Sequence, residues 1–158
     1  MAKRSIKVAF DDSKAQAKLD AMLAASRSAV RPAAQAGAEV LYQEARLRCP
    51  VSEAPHFFYG TSYKKTGQRY LFAPGTLRDS IYQVFSKDNS QGHGQGYDRV
   101  TYHIAWNHQK APYGFMVEFG TSRAPAHPFL RPAFDARRND ALQQAKAEWV
   151  AKVGQVIQ

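Results

Sequence analysis

Five histidines, at positions 56, 93, 103, 108 and 127, are the side chains best suited to hold a metal or move a proton near neutrality. Paired ligands recur at three or four residues on a helix, or at even spacing on a strand, so that both rings share a face. His103 and His108 are five apart and meet neither condition, and all five histidines read as surface or structural groups. Gly92, Gly94 and Gly96 lie in a polar loop after Asn89 with no helix pattern behind them. A dinucleotide fingerprint needs a strand before its glycines and a helix after them, so these read as a hairpin tip. Asp11 and Asp12 look like helix-capping residues and Glu118 stands alone, so no carboxylate pair offers acid–base chemistry. Cys49, the single cysteine, precedes Pro50 in a buried context with no neighbouring base. The expectation is a chain with no catalytic, cofactor-binding or metal-binding residues, and not an enzyme.

The 158 residues suit one domain, 1–158, and 44% hydrophobic residues are enough to fill a single core. Lys and Arg number 22 against 13 Asp and Glu. The resulting +9 favours polyanionic neighbours: nucleic acid, anionic lipid or an acidic protein. A single cysteine precludes an intrachain disulfide and suits a reducing compartment. No apolar run approaches the ~18 residues of a membrane span, and residues 1–10 lack the apolar centre of a signal peptide. These features point to a soluble protein made in the cytoplasm.

Positioning elements follow from periodicity. Ile6, Val8 and Phe10 alternate and predict a strand over 5–10. Asp11, Asp12 and Ser13 supply acceptors for a helix start, and the helix over 14–25 carries Leu19, Met22 and Leu23 as its apolar stripe. Pro32 predicts a break, because proline opens helices and disfavours helix at the preceding Arg31. A second helix over 33–48 places Ala34, Ala38, Leu41 and Ala45 on one close-packing face and stops at Cys49 and Pro50. Residues 80–85 read as a strand, 91–96 as a glycine-rich loop, and 99–107 as the cleanest strand. There Val100, Tyr102, Ile104 and Trp106 face the core, while Thr101, His103, Ala105 and Asn107 face water. A helical turn after Pro112 carries Tyr113, Met116 and Val117 and ends at Gly120. Pro132 opens a last helix to about 156, with Leu142, Ala145, Trp149, Val153 and Val156 as its stripe. The fold class is α+β: a small antiparallel sheet packed with N-terminal helices and a long C-terminal helix.

Three short segments in the second half stand out: Gly75-Thr76-Leu77-Arg78-Asp79-Ser80-Ile81, then residues 112–121 (PYGFMVEFGT), then residues 127–134 (HPFLRPAF). Thr76 is placed to cap a short turn with Asp79 adding charge at its start, and Gly120 allows the positive φ that stops a helix. Glu118 is the sole carboxylate near Arg78, Arg123 and Arg131 in these segments. A charge-assisted pair with Arg78 or Arg131 would tie them together. Phe129, Leu130 and Phe134 read as core anchors.

In this order the segments resemble the head–tail joining family of long-tailed bacteriophages, also called neck or tail-completion proteins. That family's pattern runs from a proline-terminated helix through G-x-L-R-x-S-I and Y-(A/G)-x-x-V-E-F-G-T to P-F-L-R-P-A and a C-terminal helix. The matching positions are Gly75, Leu77, Arg78, Ser80 and Ile81; Glu118, Phe119, Gly120 and Thr121; and Pro128, Phe129, Leu130, Arg131, Pro132 and Ala133. Cys49-Pro50-Val51-Ser52 is similar to the family's lead into the first motif, so the likeness covers most of 33–149. The resemblance implies a structural virion protein, made in the host bacterial cytoplasm, that completes the tail top and joins it to the head connector. It implies a homo-oligomeric ring, six-fold favoured, around the DNA channel. Connector, tail-terminator and tail-tube subunits are the implied neighbours, with contact to genomic DNA and no membrane or cofactor.

The family's proline turn runs almost directly into G-x-L-R, whereas here 53–74 intervene. That is either an insertion particular to a subgroup or a looser correspondence of the proline turn, and the family is silent about its residues. Two aromatic runs around 64–69 predict a long hairpin or ordered loop. Phe57, Phe58, Tyr59, Tyr63, Tyr70 and Phe72 are many rings to leave in water, each able to bury ~150–250 Å². The expectation is an insertion arm that packs on a neighbouring subunit, with Lys64, Lys65 and Arg69 at its tip meeting acidic groups or DNA. The other function class is a cytosolic RNA- or DNA-binding module that uses the same aromatic and basic insertion. A gene beside portal and major tail genes favours the first class, and salt-sensitive binding of naked nucleic acid by the monomer favours the second.

Overall fold

A computed structural model describes residues 11–60 and 63–157. Ser13–Arg48 form one helix, α1, followed by a short hairpin of β1 (His56–Phe58) and β2 (Tyr70–Phe72) with a helical turn, α2 (Tyr63–Thr66), between them. A second turn, α3 (Thr76–Asp79), leads into a long hairpin of β3 (Ile81–His93) and β4 (Gly96–Trp106). The turn α4 (Gly114–Phe119) and the C-terminal helix α5 (Leu130–Ile157) complete an α+β layout. The strands form two separate two-stranded antiparallel sheets: β3–β4 is the expected small sheet, and β1–β2 is the hairpin expected within 53–74. The strand expected over 5–10 lies outside the described residues.

The break expected at Pro32 does not occur, and the proline sits inside α1. Its missing N–H and its ring crowding the carbonyl four residues back cost ~3 kcal/mol in a helix interior. The helix continues because Ala29, Ala33, Gly37, Ala38 and Ala45 make one buried face that runs through the proline. Packing along that face outweighs the local preference for a break. The expected stop holds: α1 ends at Cys49, whose N–H donates to the Ala45 carbonyl at 3.0 Å.

The buried face of α1 meets α5 through small residues. A Cβ on Gly37 would lie 2.8 Å from the Ala141 carbonyl oxygen and 3.2 Å from the Ala145 Cβ, so the two helices approach nearly backbone to backbone. Of the stripe expected on α5 this seam keeps Ala145 and Val153 and corrects Leu142 and Trp149, while the Val156 side chain lies outside the described residues. Ala133, Ala141 and Val153 are buried, whereas Leu142 is 70% exposed and Trp149 also faces solvent. A close crossing selects alanines and turns the bulkier Leu142 outward. Leu19 and Leu23, expected as the apolar stripe of the first helix, are likewise exposed.

The long hairpin packs across α1 at one end and enters the core at the other. Its register pairs Ile81 with Trp106 and Phe85 with Tyr102. The loop expected over 91–96 is mostly strand, with the turn confined to Gly94 and Gln95 and Gly94 at φ 60°. A Cβ on Gly96 would come within 2.6 Å of the Arg27 backbone, so this turn seats directly on α1. The alternation expected in β4 is graded rather than clean. Val100, Tyr102, Ile104 and Trp106 are half-buried and His103 is exposed, but Thr101 and Ala105 are half-buried too. A narrow twisted ribbon of two strands cannot shield one face completely. The core proper contains Cys49, Leu77, Ile81, Ala111 and Phe129, surrounded by Tyr42, Ile104, Trp106, Tyr113, Val117 and Leu130.

The seam predicts opposite outcomes for two substitutions. Gly37→Leu should cost ~1–3 kcal/mol by overpacking, lowering the thermal midpoint by about 2–4 °C per kcal/mol for a chain of this length. Leu142→Ala should stay within ~0.5 kcal/mol. Circular-dichroism melts of both variants check this, and an unchanged midpoint for Gly37→Leu contradicts the close crossing.

Candidate functional site

The three segments singled out in the sequence meet in one place. In the first, Gly75 is buried at φ 83° and forms the left-handed residue before α3. The Thr76 hydroxyl donates to the Ala73 carbonyl at 2.7 Å instead of capping the turn as expected. Leu77 and Ile81 enter the core, and the buried Ser80 hydroxyl donates to the Leu77 carbonyl at 2.7 Å. Arg78 turns away to Asp79, at 3.1 Å, where Arg46 also reaches at 3.1 Å. The Arg78 hydrogen bond holds the Asp79 carboxyl below the usual carboxylate range.

The second segment is α4 and its stop. Gly114 and Glu118 are buried, while Phe115, Met116 and Phe119 face outward. Gly114 lies under the Trp106 indole, and a Cβ there would overlap the ring. Gly120 ends the turn at φ 74° with its N–H donating to the Met116 carbonyl at 2.8 Å, as expected for a stop glycine. The Thr121 hydroxyl accepts from the Arg123 and Ala124 amides at 3.2 and 3.0 Å, which orders the loop that follows.

Glu118 binds the third segment. One carboxylate oxygen accepts from the Phe129 N–H at 2.8 Å and the Leu130 N–H at 3.1 Å, and the other from the Arg131 N–H at 3.2 Å. This corrects the expected pair with Arg78 or Arg131: among the described residues Glu118 is joined to backbone amides and to no guanidinium. The first amides of a helix have no partner within it and carry partial positive charge. An acceptor delivered from α4 satisfies them, whereas an arginine would leave them unmet. The His127 N–H donates to the Val117 carbonyl at 2.7 Å and fixes the same junction from its other side. Phe129 is fully buried and Ala133 nearly so, Leu130 and Pro132 are half-buried, and Pro128, Arg131 and Phe134 are exposed. Phe134 is therefore no core anchor.

The arm is a hairpin docked on this assembly. His56 pairs with Phe72, Phe57 with Leu71 and Phe58 with Tyr70. The rings of His56, Phe58 and Phe72 surround Tyr113 at centroid distances of 5.1, 6.1 and 5.0 Å. Phe58 and Phe72 thus pack on the chain's own body, not outward as the arm expectation had them. Burial raises the Tyr113 phenol above its ordinary range. Phe57, Tyr59, Tyr63 and Tyr70 stay exposed, Arg69 lies 4.5 Å over the Phe57 ring, and Lys64 and Lys65 are exposed on α2. Tyr113 and Gly114 lie in the second segment, but their roles as the arm's platform and as the seat for Trp106 were not read from sequence. Their partners lie far away in the chain, and only the bare order Pro112-Tyr113-Gly114 marks them.

The other chemistry-bearing side chains are scattered. His93 lies 3.6 Å from Asp98 and His103 lies 3.3 Å from Asn89. Among the described residues no group of three or more His, Cys, Asp or Glu could hold a metal ion, and no helix is long and apolar enough to cross a membrane. Cys49 lies in the core, where burial pushes its thiol up to about 11. Compared with family models, curated proteins and solved structures, the chain has no match in any of the three.

Two outcomes follow from this geometry. Glu118→Ala strands three amides at once and should cost ~1–3 kcal/mol or more in urea unfolding, whereas the exposed Arg131→Ala should stay within ~0.5 kcal/mol. Equal costs would mean that the arginine, not the amides, is the carboxylate's partner. Cys49 should resist a thiol reagent in the folded chain at mildly alkaline pH and react once denaturant is added; rapid labelling of folded chain would contradict its burial.

Proposed function

We propose that the chain is a structural, non-enzymatic subunit of the head–tail junction of a long-tailed bacteriophage. In this reading copies of it form a ring, six-fold favoured, that completes the tail top and meets connector, tail-terminator and tail-tube subunits in the virion. The observation that carries the reading is the convergence of the three ordered segments, the second and third joined through Glu118 and the first packed against them through Leu77 and Ile81, because the residues that bear the family resemblance then form one structural unit. Two outward surfaces add support. Phe115, Met116 and Phe119 expose the outer side of α4, and Phe57 and Leu71 expose the outer side of the arm. Apolar surface of this kind marks contact sites, and a ring needs two different surfaces that meet head to tail. The +9 charge suits a neighbour that surrounds DNA. A freestanding RNA- or DNA-binding module has a use for the arm's cations but none for Phe115 and Phe119 on the outward face of α4.

Infection in the absence of this chain should yield DNA-filled heads and finished tails that fail to join, with purified chain restoring infectious particles. Normal particles made without it would overturn the proposal. Deleting 62–68 should leave a folded chain that sediments as a monomer where the full chain assembles. Normal assembly by that variant would remove the arm from the interface.

A further inference from the structure

A cleft of about 750 Å³ opens between the outer end of the arm and the body beside α4. That lies within the ~300–1,000 Å³ usual for ligand sites. Tyr59, Tyr63 and Tyr70 line it from the arm, and His108, Gln109 and Met116 from the body. Tyr59 and Tyr63 meet edge to face at 4.8 Å, and all three tyrosines keep exposed ring surface. The lining contains no carboxylate. The two stretches of chain that build it contain none either: no Asp or Glu occurs between Glu53 and Asp79, or between Asp98 and Glu118. Lys64 and Lys65 follow Tyr63 on α2, and Lys110 follows Gln109, all three exposed.

We infer that this cleft binds single-stranded nucleic acid, with its tyrosines stacking on bases and Lys64, Lys65 and Lys110 meeting the phosphates. Each part of the site answers to a part of that ligand. Every base offers a π-face to an aromatic ring, and a rim without carboxylates, with exposed lysines next in sequence to its lining residues, favours a phosphate chain. An apolar protein segment would use the rings but gain nothing from that rim. A polyanion without bases would use the lysines but leave the rings idle. A duplex hides its base faces in its own stack, so the cleft selects single strands, RNA and DNA alike. Binding of naked nucleic acid by the isolated chain is the outcome that favours the nucleic-acid-binding class, and the junction reading is tested separately by infection without the chain.

Fluorescence anisotropy of labelled oligo(dT) and oligo(U) with the full-length chain tests this, with a duplex and heparin as competitors. Both oligonucleotides should bind, and log affinity should fall against log salt with a slope of about −2, from three phosphates at roughly 0.7 each. Tyr63→Ala combined with Tyr70→Ala should weaken binding roughly tenfold or more at an unchanged slope. Lys64→Gln combined with Lys65→Gln should flatten the slope, and these exposed positions keep the test open if the tyrosine variant fails to fold. The inference is overturned if the oligonucleotides do not bind, if heparin competes as well as oligo(dT), or if neither double variant changes binding. Self-association lost with the tyrosines while oligonucleotide binding persists would assign the cleft to a protein partner.

Discussion

The Glu118 carboxylate holds α4 to the start of α5 through three backbone amides, and most of the remaining structure is arranged around that junction. Fixing where α5 begins fixes where Phe129 enters the core and where Ala141 meets Gly37. The same turn that presents Glu118 carries Gly114 under Trp106, so the end of β4 is tied to the same point. Removing a neutral surface hydrogen bond from such a site would cost little. Removing a buried acceptor of three amides leaves donors for which the described residues show no other acceptor.

Close approach is the second constraint. At Gly37, Gly96 and Gly114 neighbouring elements occupy the space a side chain would need. Helix–helix and helix–hairpin distances are therefore set by backbone, and larger side chains go where room remains. That explains why so much apolar surface ends outside: Leu142 on α5, Phe115 and Phe119 on α4, Leu71 on the arm. A core filled mainly by alanines and one fully buried phenylalanine buries less area per residue than a leucine-rich one. Covering the outward rings against another molecule adds burial that the single chain lacks.

Local rules read some elements of this chain well. Cys49-Pro50 stops α1, Gly120 stops α4, and the stretch ending at Trp106 runs as a strand into the core. They fail where a distant partner decides. Pro32 reads as a break until the face from Ala29 to Ala45 is seen to lie against α5. Leu142 and Trp149 follow the helical period, but the period cannot reveal that Gly37 admits only small residues opposite it. Glu118 reads as half of an ion pair because opposite charges are visible in a sequence and unmet helix amides are not. Phe58 and Phe72 look like their neighbours Phe57 and Leu71 until the hairpin register puts them on the side facing Tyr113.

At 36 residues, α1 is about 54 Å long at 1.5 Å per residue. A compact domain of 158 residues has a radius of gyration of about 15 Å, hence a breadth of roughly 40 Å. The helix outruns that breadth, and its first turns, through Ala21, are exposed on every side. The described chain is therefore longer along α1 than a compact sphere of its mass would be, which raises its frictional coefficient. It tumbles faster about its long axis than end over end, and it is excluded from gel pores as a larger sphere would be. Elution volume alone would count that length as extra subunits, so stoichiometry must be read from mass rather than from hydrodynamic size.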